Sequence, residues 1–200
     1  MIFGYVLWGQ DNDSFMFEDE KHPNAATCSS CGYLLNFNYH NANFKIKRKV
    51  FHLSHCYDTG DIISLTLKEY LIRKKYAGVQ FASFDNEKTF YQIFLENEIE
   101  LDPVKREVQF SNKCSTCNNY EEVIGATPCF LKNENPIEDG FFKSDLYFGS
   151  GNRKCPIILI GVETKEKLMK EKLKGFSFEP IHDYDSWLRE IQPKLPPATI

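Results

Sequence analysis

The sequence predicts an α+β protein with a mixed or antiparallel sheet and few helices. Three observations predict this fold class. Several short apolar segments, some alternating with polar residues, are typical of strands. Two segments in different parts of the chain share the order strand, helix, glycine, strand. Two Cys-x-x-Cys pairs, at 28–31 and 114–117, lie far apart and predict a link between distant loops.

The composition bounds the class of protein. With 200 residues, of which 42% are hydrophobic and 14% aromatic, the chain can bury a substantial core and is globular rather than disordered. A formal net charge of −4 argues against a nucleic-acid-binding protein, which usually carries a basic surplus. No apolar run approaches the roughly 20 residues that span a bilayer, and no basic-flanked segment directs export. We therefore expect a cytoplasmic protein without membrane association.

Apolar patterning predicts the strands in order. Residues 2–8 are apolar and predict the first strand, and the partly alternating segment 44–50 predicts an edge strand with solvated basic side chains. From 91 to 101, most odd positions are apolar and the even positions include Gln92, Glu96, Glu98 and Glu100, which predicts a half-buried strand with an acidic outer face. Asp102-Pro103 predicts a turn, after which 107–110 would return as a hairpin strand that leads to Cys114.

An internal repeat is visible between residues 61–84 and 158–181. Each segment reads as a short apolar strand, an amphipathic helix, a glycine that ends the helix and a second strand. Aligning Gly78 with Gly175 also aligns Ile63 with Ile160, Lys68 with Lys165, Leu71 with Leu168 and Phe81 with Phe178. Short amphipathic helices also match by chance, so duplication and coincidence both stay open. We expect one domain over 1–181 and a C-terminal tail over 182–200.

Four cysteines have the spacing of a metal site. Two thiolates two residues apart bind one ion from a single turn, so Cys28, Cys31, Cys114 and Cys117 predict a tetrahedral zinc site. Gly32 suits the turn after the second sulfur, because glycine adopts positive φ without strain. Four thiolates close the coordination sphere, which predicts a structural rather than a catalytic zinc. The alternative is four unligated or redox-active thiols.

The other cysteines and the histidines give weaker signals. Cys56, Cys129 and Cys155 lie beside apolar or β-prone residues and are expected in the core. The sequence His52-x-x-His55-Cys56 indicates either a strand end or part of a second metal site. The sequence has no Gly-x-Ser-x-Gly, no His-Glu-x-x-His and no glycine-rich phosphate loop, so we expect no enzyme.

Two charged segments have alternative interpretations. The acidic residues Glu96, Glu98, Glu100 and Asp102 form either an ordinary solvated face or a binding surface for a basic protein, to which Glu18-Asp19-Glu20 would add. The basic residues Lys45, Lys47, Arg48 and Lys49 either guard an edge strand or contact phosphates.

The arrangement of motifs resembles that of the double-CXXCG motif proteins. The resemblance comprises the Cys-x-x-Cys-Gly near the start, the second Cys-x-x-Cys, and a closing segment of Ser144–Phe148, a strand, a helix and residues 174–181. It covers the first motif and roughly residues 90 to 181, and departs from the pattern at Asn118, where a glycine is expected. The closing segment also resembles immunity proteins of bacterial polymorphic toxin systems.

This resemblance implies a function. It implies a cytoplasmic immunity protein that binds and neutralises a cognate toxin, with zinc as a structural clamp and no chemistry of its own. The alternative is a zinc-ribbon protein that binds nucleic acid or has a regulatory role. An enzyme is a third interpretation, and it would need a pocket that joins His52, His55 and Cys56 to an open metal position.

Overall fold

A computed structural model describes residues 1–17, 26–58 and 60–190 of the protein. These ranges contain eleven strands and four short helices. The strands are β1 (Ile2–Asp11), β2 (Leu53–His55), β3 (Asp61–Ser64), β4 (Val79–Phe84), β5 (Glu87–Leu95), β6 (Glu98–Ile99), β7 (Gln109–Lys113), β8 (Tyr120–Ile124), β9 (Phe141–Ser150), β10 (Cys155–Ile160) and β11 (Phe176–His182). The helices are α1 (Leu65–Lys74), α2 (Pro103–Arg106), α3 (Val162–Met169) and α4 (Tyr184–Glu190).

The strands form one large sheet. Its main path has the order β4, β5, β3, β2, β1, β10, β9, β8, β7, while β11 pairs with β1 and β6 with β9. Pairing is mostly antiparallel, with parallel pairs only at β1–β2 and β6–β9 among the described strands. The α+β fold class predicted from the sequence is therefore confirmed.

The two predicted strand-helix-strand elements are present, and each one brackets a third strand. β3 and β4, joined through α1, both pair antiparallel with β5. β10 and β11, joined through α3, both pair antiparallel with β1. In each unit a helix therefore connects two outer strands that run parallel to one another on either side of a central strand.

The two units also share their strand register. Ile63 lies opposite Tyr91, and its sequence match, Ile160, lies opposite Tyr5. The second outer strands agree in the same way: Phe81 and Phe178 lie opposite residues two positions further along each central strand. The alignment made from the sequence therefore describes equivalent positions in space, while gene duplication and coincidence both stay open as its origin.

One side-chain contact is repeated between the units. The ammonium of Lys68 on α1 lies 3.5 Å from the centre of the Tyr91 ring, and that of Lys165 on α3 lies 4.5 Å from the centre of the Tyr5 ring. A cation over an aromatic face is attracted by the ring's electron density. In each unit the lysine at this equivalent position therefore helps to hold the helix against the central strand.

Local signals explain where the helices begin and end. The Ser64 hydroxyl accepts a hydrogen bond from the Leu67 amide and caps α1, which ends at Lys75 in the left-handed conformation. α3 begins after Gly161 and ends at Met169. The backbone then reaches Gly175, whose φ of +92° matches the positive φ at Gly78.

The core has three parts. One cluster lies beneath both α1 and α3 and includes Leu71 and Leu168, so the two units share it. A second cluster lies on the opposite face of β1 and β10, and a third packs residues 16–17 and 44–46 against β3 and β5. Residues 157 to 160 of β10 are all buried, because alternate side chains enter the first two clusters.

The edge strand predicted over 44–50 is wrong. Phe44 and Ile46 are buried and the basic side chains are exposed, so the alternation of burial is present, but the backbone forms no strand. The buried Asn12 side chain explains the difference. Its oxygen accepts from the Lys47 amide and its amide nitrogen donates to the Arg48 carbonyl, which replaces ladder hydrogen bonds.

The hairpin predicted from 91–101 and 107–110 is also wrong. Asp102 accepts hydrogen bonds from the amides of Val104 and Lys105, with Pro103 in the first helical turn, so Asp-Pro starts α2 instead of a tight turn. β5 pairs with β4 and β3, and β7 pairs with β8. Gln92 was expected on an outer face but is fully buried, because residues 39 and 40 cover it.

The ends of the described chain are tied together. The Met1 amino group forms an ion pair with Asp183, and Trp187 of α4 packs edge-to-face on Phe130. The acidic triplet Glu18-Asp19-Glu20 and the end of the predicted tail, 191–200, lie outside the described residues. Within the described ranges, no helix has the length and apolar character needed to cross a membrane.

Gly161 is required by a close backbone approach. A Cβ at this position would lie 2.2 Å from the carbonyl oxygen of Glu138 and 2.7 Å from that of Ile137, although the φ of −69° suits any residue. We expect Gly161→Ala to lower the free energy of unfolding by about 1–3 kcal/mol, the usual cost of overpacking. Urea denaturation measures this, with Glu166→Ala on the exposed face of α3 as control. Equal stability of the two variants would contradict the steric role.

Candidate metal centre

Two loops bring the four predicted cysteines together. The first Cys-x-x-Cys lies in the turn between the Thr27 and Leu34 bridge positions, and the second forms the turn of the β7–β8 hairpin. The four sulfur atoms all lie within 4.8 Å of one another. The structure therefore joins the N-terminal loop to the hairpin at one four-cysteine cluster.

The backbones of the two turns match. The Gly32 amide donates to the Cys28 carbonyl at 2.8 Å, and the Asn118 amide donates to the Cys114 carbonyl at 2.9 Å. Gly32 and Asn118 both have positive φ, of +73° and +60°. Asparagine tolerates this conformation better than most residues, so the departure from Cys-x-x-Cys-Gly at Asn118 leaves the turn intact.

The spacing of the sulfur atoms fits a tetrahedral metal ion. The Sγ atoms of Cys31 and Cys117, from different turns, are 3.7 Å apart. A tetrahedron with metal–sulfur bonds of about 2.3 Å has edges of about 3.8 Å. None of the seven cysteines is in a disulfide. The cluster could therefore hold a metal ion with little rearrangement.

Backbone amides favour the thiolate form of the first cysteine in each turn. Hydrogen bonds from the backbone of Cys117 and Thr116 lower the pKa of Cys114 to about 6, and equivalent bonds lower the pKa of Cys28. Burial raises the pKa of Cys31 to about 12, with further increases from the neighbouring sulfurs. Four sulfurs at this distance cannot all ionise without a cation, and a bound metal ion would stabilise all four thiolates.

Lys154 lies beside the cluster and is almost fully buried. Its ammonium donates to the Asn119 side chain at 3.1 Å and to the Tyr120 carbonyl, and it lies 5.1 Å from the centre of the Tyr33 ring. Burial lowers the pKa of Lys154, while the sulfurs of Cys117 and Cys31 raise it. A buried cation here offsets part of the negative charge that four thiolates would place on the site.

Two asparagine side chains fix the first cysteine loop in place. The 3₁₀ turn over Gly151–Arg153 places Asn152 against the first loop, where its oxygen accepts from the Leu34 amide and its nitrogen donates to the Gly32 carbonyl. Asn119 donates from the hairpin to the Leu34 carbonyl. Sequence reasoning missed Asn119, Asn152 and Lys154, because single polar residues in turns carry no spacing signal.

The second metal site considered from the sequence does not form. Cys56 and Cys129 are buried, as predicted, whereas Cys155 is only partly buried. His52 accepts a hydrogen bond from the Lys174 amide at 2.9 Å, and Cys56 is fully buried beside Ser14. Among the described residues only the four-cysteine cluster has metal-binding geometry, so the second metal site at His52, His55 and Cys56 is not formed.

The four predicted acidic residues do not form one surface. Glu98 and Glu100 line a groove together with Glu138, which sequence reasoning missed, and the groove floor includes Ile137 and Phe142. Lys143 and Lys132 form ion pairs with the first two carboxylates. Glu96 lies outside the groove and accepts from Gln80, and Asp102 is occupied as the cap of α2.

The predicted basic segment is exposed but partly neutralised. Lys45, Lys47, Arg48 and Lys49 all have exposed side chains. Arg48 forms an ion pair with Asp13 at 3.4 Å, and Lys49 forms one with Glu87. Two of the four cations therefore face a carboxylate, which weakens their attraction for phosphate.

Comparisons with family models, with curated proteins and with solved structures found no match for this chain. The resemblance to double-CXXCG proteins and to immunity proteins therefore stays a prediction. What the site can do chemically rests on the four sulfurs, their amide hydrogen bonds and the buried lysine.

Proposed function

We propose that this protein is a binding protein stabilised by one structural zinc ion at Cys28, Cys31, Cys114 and Cys117. The observation that carries the proposal is the approach of four sulfurs, from turns far apart in the chain, to within 4.8 Å of one another. Zinc prefers four sulfur ligands in a tetrahedron. With all four positions filled by cysteine, the ion has no open site for substrate and acts as a clamp.

Lys154 would tune the affinity of this centre. We expect Lys154→Met to weaken zinc binding about 10- to 100-fold, the usual effect of removing a group that supports the ligands, because the thiolates lose a buried cation. Competition with a chromogenic chelator measures the change. Lys113→Met is the control, since Lys113 is exposed on the β7–β8 hairpin next to the ligand Cys114. Equal affinities of the two variants would show that Lys154 does not act on the metal.

The proposed partner is a basic protein, and the groove beside β6 supports this choice. Glu98, Glu100 and Glu138 lie around apolar residues that include Ile137 and Phe142. Lys143 and Lys132 pair with Glu98 and Glu100 at the surface, where ion pairs are weak, so basic groups of a partner can compete for both carboxylates. Acidic groups around an apolar floor suit a partner with basic residues around an apolar contact, since complementary charge speeds association and selects the partner. The resemblance to immunity proteins suggests a cognate toxin, which the protein would neutralise by covering its active surface.

Expression of the neighbouring reading frame tests immunity. Its product should inhibit growth alone, and co-expression of this protein should restore growth and yield a one-to-one complex. The double variant Glu98→Lys/Glu100→Lys should weaken the complex at least 10-fold because it reverses charge in the groove. Glu69→Lys, exposed on α1, is the matched control. Toxicity without rescue or complex formation would contradict immunity for that pair.

Nucleic-acid binding is the second candidate, and the exposure of Lys45, Lys47, Arg48 and Lys49 favours it. Labelled RNA or DNA should then shift at low salt, and Lys45→Glu/Lys47→Glu should abolish the shift. These two lysines are chosen because Arg48 and Lys49 already pair with carboxylates. A shift that does not change with the substitution, or with salt, would exclude this segment as the interface.

A further inference from the structure

A cysteine, a histidine and an aspartate form a chain of contacts outside the four-cysteine cluster. The Sγ atom of Cys155 lies 3.6 Å from Nε2 of His55, and Nδ1 of His55 lies 3.1 Å from Oδ1 of Asp61. The imidazole therefore bridges a thiol and a carboxylate with its two ring nitrogens. This is the order of contacts in which a histidine activates a nucleophile while a third group orients the histidine.

Strand pairing places the three side chains. His55 ends β2 and Asp61 begins β3, and the two residues lie directly opposite each other in the antiparallel pair. Cys155 begins β10, just before an irregularity in the β9–β10 register between Pro156 and Ile158. Such bulges redirect side chains and often lie next to functional sites. The histidine and aspartate are thus fixed by one hairpin, and the sulfur comes from a distant strand.

The three residues supply too few ligands for a metal site. The Cys155 sulfur and Nε2 of His55 would give an ion two protein ligands, whereas zinc sites use three or four, and Nδ1 of His55 is already paired with Asp61. The contacts follow one another as a chain, unlike the four cysteine sulfurs, which converge on one point. Burial alone would lower the pKa of His55, but Asp61 and Cys155 raise it well above 6.5. The carboxylate and the sulfur together fix the orientation of the ring.

The sulfur is open to a small molecule. A cleft reaches Cys155 and Asp61 and is lined on its apolar side by Phe37, Phe94 and Tyr147. A second depression meets it at Cys155 and exposes His55. The side chains of His55 and Asp61 are 34% and 21% exposed. Cys155 itself is only partly buried and lines both openings, so a small molecule in either one lies beside the thiol, in contrast to the buried Cys56 and Cys129.

We propose that Cys155, His55 and Asp61 form a nucleophilic thiol site that accepts an apolar acyl group from a small activated ester. Cys155 is the nucleophile, His55 transfers the proton, and Asp61 is a positioning residue. The aromatic side chains of the cleft suit an apolar acyl chain, because they remove it from water. None of the three residues is a ligand of the proposed metal centre, although Cys155 directly follows Lys154, which lies beside that centre.

The reaction has two balanced steps. The Cys155 thiolate attacks the carbonyl carbon, a carbon–sulfur bond forms, and the bond to the leaving alcohol breaks as His55 gives that alcohol a proton. Water then attacks the thioester carbon and passes a proton to His55. The carbon–sulfur bond breaks and releases the carboxylic acid, which regenerates the thiolate and the protonated histidine.

Acylation with p-nitrophenyl butyrate tests the proposal on the full-length, zinc-loaded protein. We expect a nitrophenol burst and an added butyryl group, which peptide mapping places on Cys155. Cys155→Ser should lose both the burst and the acyl group. His55→Gln should slow acylation of Cys155 by about 100-fold, the lower end of the usual effect of removing a general acid–base group.

Asp61 variants separate positioning from folding. Asp61→Asn should slow the burst, whereas Asp61→Glu, which keeps the carboxylate, should recover part of the rate. Each variant is compared at equal zinc content and equal melting temperature, so that a folding defect is not read as a chemical one. Acyl groups found only on other cysteines, or equal acylation of Cys155 in wild type and His55→Gln, would overturn the proposal.

Discussion

Replacing Cys114 by serine is expected to release the metal and to loosen two distant segments of the chain. In small zinc-finger peptides the metal supplies roughly 10–16 kcal/mol of folding free energy, so even a fraction of it exceeds a typical substitution effect. The first cysteine loop and the β7–β8 hairpin meet at the cluster, so both should lose protection from hydrogen exchange. The β3–α1–β4 unit should change least, because it contains no ligand.

The matched control for this prediction is Ser115→Ala. Ser115 is exposed in the same turn and supplies no ligand. Calorimetry with and without chelator should give a large fall in melting temperature for the wild type and the control, and no further fall for Cys114→Ser. If Cys114→Ser keeps the wild-type melting temperature and zinc content, the four cysteines do not hold a structural zinc ion.

Shortening a side chain in the core that the two units share is expected to cause the second large loss of stability. Leu71 on α1 and Leu168 on α3 occupy equivalent positions in the two units, are each 1% exposed, and enter the same cluster. We expect Leu71→Ala and Leu168→Ala each to lower the free energy of unfolding by about 2–5 kcal/mol, from lost burial and the cavity left behind. Urea denaturation of the zinc-loaded protein measures both.

Neighbouring residues on the same helices provide the controls. Ile72 is 56% exposed and Met169 is 64% exposed, so their replacement by alanine should change the free energy of unfolding by less than about 0.5 kcal/mol. A loss for Leu71→Ala but none for Leu168→Ala would contradict the equivalence of the two units. Similar losses for buried and exposed positions would contradict the assigned core.

Local patterns in the sequence were sufficient for the two strand-helix-strand elements. The amphipathic spacing around Leu71 and Leu168 and the glycines at 78 and 175 mark helix and turn directly. The sequence pattern could not reveal that each element brackets a strand, β5 or β1, from elsewhere in the chain. Such pairing depends on long-range register, and local hydrophobic periodicity carries no information about that register.

The mistaken elements have a common physical cause. At 44–50 the Asn12 side chain takes the backbone hydrogen bonds that a strand partner would have taken. At Asp102-Pro103 the same dipeptide that favours a turn also favours a helix start, and the capping hydrogen bonds select the helix. In both places a polar side chain competes with the sheet, and periodicity alone does not report that competition.

The candidate sites differ in how many of their residues the sequence alone can identify. Cys-x-x-Cys spacing identifies the metal ligands, because each pair acts from one turn. Lys154, by contrast, reads as a surface residue in the sequence and is 1% exposed in the fold. The contact between Cys155 and His55 joins residues 100 positions apart, and only the β1–β10 and β1–β2 pairings bring their strands into one sheet.

Native mass spectrometry of protein purified without added metal tests the central claim most directly. The zinc clamp predicts a single species whose mass exceeds that of the chain by one zinc ion less the displaced protons. It also predicts that the cysteines at 28, 31, 114 and 117 resist thiol reagents until a chelator is added. A metal-free chain with these four thiols fully reactive, and a melting temperature that does not respond to zinc, would contradict it.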